Sequence, residues 1–268
     1  MRFHHEIAID PARCIGCGRC VDDCPAANLV VADGKAAPLT QGCIMCAHCV
    51  AVCPTAAVSI PGYDMADVEP SAPAGETIDA ADLLRAIKSR RSVRSFKPEP
   101  VGRQELEFVL QAGRYTATAK NAQGCRFVVV QDGLAELKRL VWDGIEELLA
   151  LPADEKPRWV KLYKPFLRDA CAGRQDFLFR NAPAVVYVAA ERADDAGLAA
   201  QNIELMAAAQ GLGVLFNGYL CRASEELPAV RAFLGADERP LQMCLLLGCP
   251  AASYPRTAPR MPGDFVVK

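Results

Sequence analysis

The apolar positions divide the chain into two unlike stretches. From residue 78 onward they alternate between helical and extended spacing. The run DAADLLRAIKSRRS opens near Asp79, whose side chain can cap a helix, and sets Leu83, Leu84 and Ile87 on one face. QELEFVLQAGRY keeps helical spacing through Leu106, Val109, Leu110 and Gly113, and LAELKRLVWDGIEELLA aligns Leu137, Val141, Ile145 and Leu148. RFVVVQ, APAVVYVAA and LQMCLLLGCP are short apolar runs without helical period, which predicts strands, the last two buried. AGLAAQNIELMAAAQGLG is apolar nearly all round and stops at glycine, which predicts a central helix. Strands alternate with helices, yet no G-x-G-x-x-G follows any strand, so a Rossmann dinucleotide site is not expected.

Ahead of residue 78 the pattern breaks. PGYDMADVEPSAPAGET, residues 61–77, carries prolines and glycines with no apolar period and predicts a linker. Residues 1–60 are punctuated by cysteine instead. CIGCGRCVDDCP begins at Cys14 and CIMCAHCVAVCP at Cys43, with the same spacing in both. Of 13 cysteines in the chain, the five outside these runs (Cys125, Cys171, Cys221, Cys244 and Cys249) sit among apolar neighbours and read as small core hydrophobes. Structural zinc usually takes two separated cysteine pairs, and here the third thiol follows too closely for that layout. C-x2-C-x2-C-x3-C-P is the bacterial iron–sulfur run, in which three cysteines bind one 4Fe–4S cluster and the fourth binds the other. Two copies close the exchange. Cys14, Cys17, Cys20 and Cys53 are expected to hold one cluster, and Cys43, Cys46, Cys49 and Cys24 the second. A segment of about sixty residues buries little surface alone, so the clusters serve as much of its core. Over residues 5–60 the chain resembles the bacterial two-cluster ferredoxins. His48, inside CAHC, reads as a packing residue or a hydrogen-bond donor to cluster sulfur.

Composition narrows the class. The chain has 268 residues and a net charge of −2, with a pI near 6.0, so neither nucleic acid nor an anionic membrane surface is an expected partner. No apolar run approaches the roughly 18 residues of a membrane span. The opening MRFHHEIAID has no apolar core of a signal peptide. A cytoplasmic protein with reduced thiols is expected.

SRRSVRSF, residues 89–96, concentrates arginine and serine. Such a stretch can be a solvated helix end, where cations suit the dipole. It can equally be a phosphate clamp, because guanidinium matches phosphate bidentately. RRSVRSF, AKNAQGCRFVVV, FRNAPAVVYVAA, QNIELMAAAQGLGVLFNGYL and LLLGCPAASYPRTAPR occur in this order. Together they resemble the FMN-dependent nitroreductase family over residues 78–268, and the whole chain resembles the ferredoxin–nitroreductase fusions found mostly in anaerobes. The resemblance implies an α+β fold, with a two-cluster ferredoxin-like domain followed by a nitroreductase-like domain, and a homodimer with one FMN per subunit at its interface. It places Arg90, Arg91 and Ser92 on the FMN phosphate and ribityl chain. Arg94 falls at the pyrimidine edge, and Asn121 and Gln123 in a loop whose asparagine bonds the pyrimidine ring, from the partner subunit in many members. Leu215, Phe216, Asn217 and Gly218 pass beside the isoalloxazine, and Arg260 matches a second phosphate-binding arginine. Two departures bear on substrate shape. Many relatives have N-x-Q-P-W where this chain has NAQGC, placing Gly124 and Cys125 in the pocket region, and many have lysine where it has Met261. Residues 152–180 correspond to a variable region. There Trp159, Leu162, Tyr163 and Phe166 share a helical face, as core or dimer packing or as a substrate lid.

The implied chemistry is that of a flavin-dependent oxidoreductase with no obligatory acid–base side chain. Two 4Fe–4S clusters exchange electrons with FMN, which reduces a small electrophilic acceptor, nitroaromatic- or quinone-like. The expected donor is NAD(P)H or a low-potential ferredoxin-type protein. The alternative is an electron-carrier module without a small-molecule substrate of its own. A third reading is flavin remodelling.

Overall fold

The computed structural model describes residues 7–39, 42–71, 78–174, 176–236 and 238–268. The chain forms two compact units. Residues 1–77 with 118–122 make the first, and 78–117 with 123–268 the second. Within the stretch read as a linker, residues 61–71 carry a short 3-10 helix, Met65–Asp67, capped by Asp64 Oδ1, which accepts from Ala66 N at 3.0 Å. Tyr63 Oη donates to Met45 O at 2.8 Å, which ties this part to the first unit. Residues 72–77 of that stretch lie outside the described residues.

The first unit repeats itself. Strand β1 (Ala8–Ile9) is followed by helix α1 (Arg19–Asp22), strands β2 (Leu29–Ala32) and β3 (Lys35–Pro38), helix α2 (His48–Ala51) and strand β4 (Val58–Ser59). β1 pairs antiparallel with β4, and β2 with β3. Each short helix is entered through a left-handed residue, Gly18 (φ 78°) before α1 and Ala47 (φ 59°) before α2. Equivalent positions after the helices, Ala27 and Ala56, share φ 48°. The buried residues here include Cys14, Cys20 and Cys49 beside Ile7, Leu29 and Val58. Gly16 is held at φ +66°, and a Cβ on it would lie 2.1 Å from Gly34 O. A backbone atom cannot swing aside as a side chain can. Gly16→Ala is therefore expected to destabilise this unit by about 2 kcal/mol or more. Thermal unfolding and retained iron would measure the loss, and a variant as stable and iron-rich as the parent would refute the cost.

The second unit is built on one antiparallel sheet of β5 (Arg126–Val130), β6 (Ala184–Ala189), β7 (Gly213–Phe216) and β8 (Leu241–Gly248), in the order β5-β6-β8-β7. The helices are α3 (Ala80–Ser89), α4 (Arg103–Arg114), α5 (Leu134–Ala150), α6 (Lys164–Cys171), α7 (Ala193–Ala209), α8 (Gly218–Glu226) and α9 (Pro228–Leu234). This is the expected α+β class. Successive β6 residues serve opposite faces, because side chains alternate along a strand. Val185 and Tyr187 pack with Leu137, Val141 and Ile145 of α5. Val186 and Val188 pack with Val109 of α4 and with Ala199 and Ile203 of α7. Burial on both faces explains why β6 and β8 read as unbroken apolar runs.

Several expectations are met locally and some are corrected. Asp79 caps α3, its Oδ1 accepting from Ala81 N at 2.9 Å and Asp82 N at 3.0 Å. Leu83, Leu84 and Ile87 do share a face of α3, but they stay 38%, 50% and 43% exposed. α7 is nearly all apolar and central as expected, yet it also buries Asp195 and Glu204. The sequence reading missed β7, four residues long and opened by glycine. Cys221 and Cys244 are buried and Cys125 and Cys249 half-buried, but Cys171 is exposed at the end of α6, so its reading as a core residue is wrong. In the variable region, Trp159 and Tyr163 are core residues, and Phe166 stacks on Phe177 with ring centroids 4.0 Å apart. Leu162 alone of that face is 57% exposed. Among the described residues no helix is long and apolar enough to cross a membrane.

Candidate functional site

In the first unit the eight cysteines fall into two sets around two cavities. Cys14, Cys17, Cys20 and Cys53 line one, walled by Ile15, Ala36 and Val58. Cys24, Cys43, Cys46 and Cys49 line the other, walled by Ile7 and Ile60. These are the exchanged sets that the spacing predicts, each run lending its fourth thiol to the other. Backbone amides aim at the sulfurs. Asn28 N donates to Cys24 Sγ at 3.3 Å and Ala57 N to Cys53 Sγ at 3.2 Å, at matching positions of the repeat. Ala36 N donates to Cys14 Sγ at 3.4 Å, and Met45 N to Cys43 Sγ at 3.3 Å. Amides from Ala36 and Gly16 hold the Cys14 thiol below its ordinary pKa, favouring the thiolate that binds iron. Burial pushes Cys49 the other way, to about 11. A dry, thiol-lined space with amides directed at sulfur fits a 4Fe–4S cluster. Among the described residues, no group of three or more His, Cys, Asp or Glu side chains is disposed to hold a single metal ion. His48 lines the second cavity beside Cys46 and Cys49. Its Nδ1 pairs with Asp23 Oδ2 at 3.0 Å on the surface.

The second unit carries two cavities along one edge of its sheet. Residues 90–97 run in extended form there. Ser92 bridges Val214 in parallel, with Val93 N donating to Val214 O at 2.9 Å, and Lys97 N donates to Cys249 O at 2.9 Å. Glycine at 213 permits the approach, since a Cβ there would lie 2.5 Å from the Val93 side chain. The smaller cavity, about 170 Å³, is lined by Arg90, Arg91, Glu204, Val214 and Tyr254 among others. The larger, about 390 Å³, is lined by Arg94, Phe177, Arg180, Tyr219 and Arg222 together with Leu215, Phe216, Asn217 and Gly218. Its size lies within the range of small-molecule sites. Residues 90–94 and 213–218 thus border both cavities.

Asn217 is used by the fold itself. Its Oδ1 accepts from Leu220 N at 2.9 Å and caps α8, and its Nδ2 donates to Leu178 O at 2.5 Å. Its own N–H donates to Cys244 O at 2.8 Å. Gly218 begins α8, and a Cβ on it would meet nothing within 4 Å, so the chain there faces open space. Arg90 Nη1 donates to Glu204 Oε1 at 3.1 Å, and Gln201 Nε2 donates to Glu204 Oε2 at 2.8 Å.

The structure therefore gathers Arg90 and Arg91 at one cavity and Arg94 with residues 215–218 at the other, with the Ser92 backbone between them. Four expected flavin residues line neither cavity, one of them Ser92, whose backbone bridges Val214. Asn121 belongs to the first unit, where its Nδ2 donates to Met45 O at 2.8 Å and reaches Ile44 O at 3.2 Å. Gln123 follows it in a left-handed conformation, at φ 47°. Arg260 lies in an exposed tail. Sequence reasoning missed Arg180, Arg222, Tyr219 and Glu204. Each lies in an ordinary helical or loop context, and only the fold brings it to the sheet edge.

An α+β sheet with paired cavities, joined to a unit holding two thiol sets, defines a redox protein with separate iron–sulfur and small-molecule modules. Residues 87–249 match the nitroreductase family, and residues 6–59 match the 4Fe–4S dicluster domain. The chain belongs to the nitroreductase family and is an oxidoreductase of that type with a dicluster domain ahead of it. Ferredoxin-2 of Desulfomicrobium norvegicum is 44% identical over 34 residues, which is 13% of this chain and 58% of that ferredoxin. The match thus spans little more than half of that relative. A nitroreductase with bound FMN from Bacteroides fragilis NCTC 9343 resembles 70% of this chain over 99% of its own, with a TM-score of 0.56 at 21% identity. A nitroreductase with bound FMN from Desulfitobacterium hafniense DCB-2 gives 0.55 at 23% identity, covering 70% and 98%. A BluB-like flavoprotein from Clostridium difficile 630 gives 0.54 at 21%, covering 69% and 98%. At these identities the likeness is one of fold.

Proposed function

We propose that the second unit binds FMN, that the two clusters exchange electrons with it, and that the holoprotein reduces a small electrophilic acceptor, nitroaromatic- or quinone-like. One observation carries this: a cavity with Arg90 and Arg91 adjoins a larger one with Arg94 and aromatic walls, along a shared backbone edge. That arrangement suits one ligand with a phosphate at one end and a planar ring at the other. FMN when bound supplies the flavin's one- and two-electron chemistry, and the clusters supply one-electron transfer.

The chain's own residues bind and orient. Arg90 and Arg91 take the phosphate, with Glu204 fixing the Arg90 guanidinium. Arg94 sets a positive charge at the ring's pyrimidine edge. Asn217 locks the turn into α8, so that Leu215, Phe216 and the Gly218 backbone lie along the ring. Phe177, Tyr219 and Leu162 wall the same cavity with apolar surface that limits water. Asn121, Gln123 and Arg260 line neither cavity, and the proposal is argued without them. The uncovered apolar face of α3 and the exposed tail that includes Phe265 and Val267 support a homodimer. Oxidisable cluster thiols suit a reducing compartment such as the cytoplasm.

The donor is NAD(P)H or a low-potential ferredoxin-type protein. Anaerobic titration with NADH and NADPH, followed by visible absorbance and with dithionite defining full reduction, tests this. Bleaching of flavin by nucleotide makes it a direct hydride acceptor. Bleaching by dithionite alone assigns electron entry to the clusters. If neither bleaches a flavin signal, the proposal fails. Reversible reduction without turnover of any small acceptor would favour the relay alternative.

A further inference from the structure

We propose that the larger cavity selects aromatic acceptors bearing a carboxylate, held by Arg180 and Arg222; this deepens the proposed function and rests on it.

Arg94, Arg180 and Arg222 all line this cavity, and among the described residues no aspartate or glutamate does. Among the described residues none of the three forms an ion pair, whereas arginines elsewhere in the unit, such as Arg85, Arg139 and Arg231, are engaged by nearby carboxylates. An isolated guanidinium on an open surface would be unremarkable, but these border a cavity and are held in place. Arg180 lies 4.2 Å from the Phe177 ring centroid and Arg222 lies 5.8 Å from that of Trp159. Such cation–π contact anchors a guanidinium and still leaves it N–H groups to pair with a planar anion. Arg180 also sits on left-handed backbone, at φ 52°, followed by Asn181 at 56°, and such strain persists where surrounding packing fixes it. Burial and then the charge of Arg94 lower the Arg180 pKa, only partly offset by Asp176, so an anion entering here relieves a like-charge repulsion. The first turn of α8 adds its positive end at the same wall.

The aromatic rings select the rest of the ligand. Phe177 and Tyr219 meet nearly edge to face, with centroids 5.7 Å apart and an interplanar angle of 75°, and both border the cavity. A planar aromatic body against these rings, with its carboxylate on the arginine edges, satisfies both kinds of wall. The proposed phosphate clamp, Arg90 and Arg91, lies in the other cavity, which leaves Arg180 and Arg222 for the acceptor.

The test compares 4-nitrobenzoate with 4-nitrobenzamide, which are nearly the same shape but differ in charge. In either compound the nitro group takes two electrons and two protons to give a nitroso group and water, the electrons coming from dithionite or a pyridine nucleotide. With holoprotein, kcat/KM for the acid is expected to exceed that for the amide by about tenfold or more, the size of a charge-assisted hydrogen bond. Arg180→Gln and Arg222→Gln should each remove most of that preference by weakening the acid, leaving the amide and the bound flavin unchanged. Arg222→Lys should restore part of it. Calorimetry of benzoate and benzamide binding to the full chain needs no turnover, and benzoate should bind about tenfold tighter in the parent and not in the variants.

Equal binding of benzoate and benzamide would overturn the proposal, as would release of flavin by either arginine variant. If benzoate binds selectively and the variants abolish it, yet neither nitro compound is reduced, the anion site stands and the nitro-acceptor part of the proposed function fails.

Discussion

Cys17→Ala is expected to cut the iron of the purified protein by half or more while leaving its flavin bound. Cys17 is exposed at the lip of its cavity, so its loss removes little packing. What it removes is one of four thiolates, and a site left with Cys14, Cys20 and Cys53 cannot complete a 4Fe–4S cluster with four cysteine ligands. The described lining of both cavities comes from the second unit's own residues, which is why flavin should be retained. Iron, sulfide and flavin content measured on one preparation check the result. Full iron retention would sink the ligand assignment, and parallel loss of flavin would sink the independence of the two sites. Cys24→Ala sharpens the test. It lies in the same run as Cys17 but lines the other cavity, so the two variants should lose clusters with different paramagnetic signatures when reduced.

The second large effect concerns Arg90. Arg90→Ala should weaken FMN binding by about ten- to a hundredfold, as expected for a charge-assisted phosphate contact, and leave iron content alone. It should also destabilise the second unit, because Glu204, with only 4% of its side chain exposed, loses its cation. Stranding a buried carboxylate in this way costs about 3–5 kcal/mol, and the remaining bond from Gln201 reduces this. The two effects separate on adding Glu204→Gln. The double variant should regain much of the stability and none of the flavin affinity. Arg91→Ala provides a cleaner measure, since among the described residues Arg91 makes no ion pair, and its loss should weaken flavin with little change in unfolding temperature. If Arg90→Ala and Arg91→Ala both bind FMN as the parent does, the smaller cavity is not the phosphate site.

These contrasts show where sequence was a sufficient guide. The grouping of eight cysteines around two cavities was legible because iron–sulfur coordination imposes a spacing that few other needs would produce. α5 was legible because its apolar period is long, α7 because it is a long run apolar nearly all round, and β6 and β8 because they are buried on both faces. Short elements were not. β7 has four residues, one of them a glycine chosen for its approach to Val93, so it carries almost no period. Buried charge is similarly silent, and Glu204 looks like any surface glutamate until Arg90 is brought to it across 114 positions of chain. Asn121 shows the opposite hazard. It sits in a sequence context that suits a flavin pocket, yet backbone carbonyls between Cys43 and Cys46 take its amide. Arg180 and Arg222 lie in unrelated segments and share only a cavity wall.

The exchange of fourth cysteines also sets an order of assembly. In the chain, Cys24 and Cys43, which share one cavity, both fall between Cys14 and Cys53, which share the other. Each completed set is a cross-link, and the two cross-links are nested. Filling the inner set closes the shorter loop, and closure costs less entropy the shorter the loop. With that loop closed, only the two flanking arms still separate Cys14 from Cys53, so the outer set forms on a shortened chain. Metal reaching the outer set first meets the full loop unaided. Iron limitation should then yield chains that hold the inner cluster alone far more often than chains that hold only the outer one.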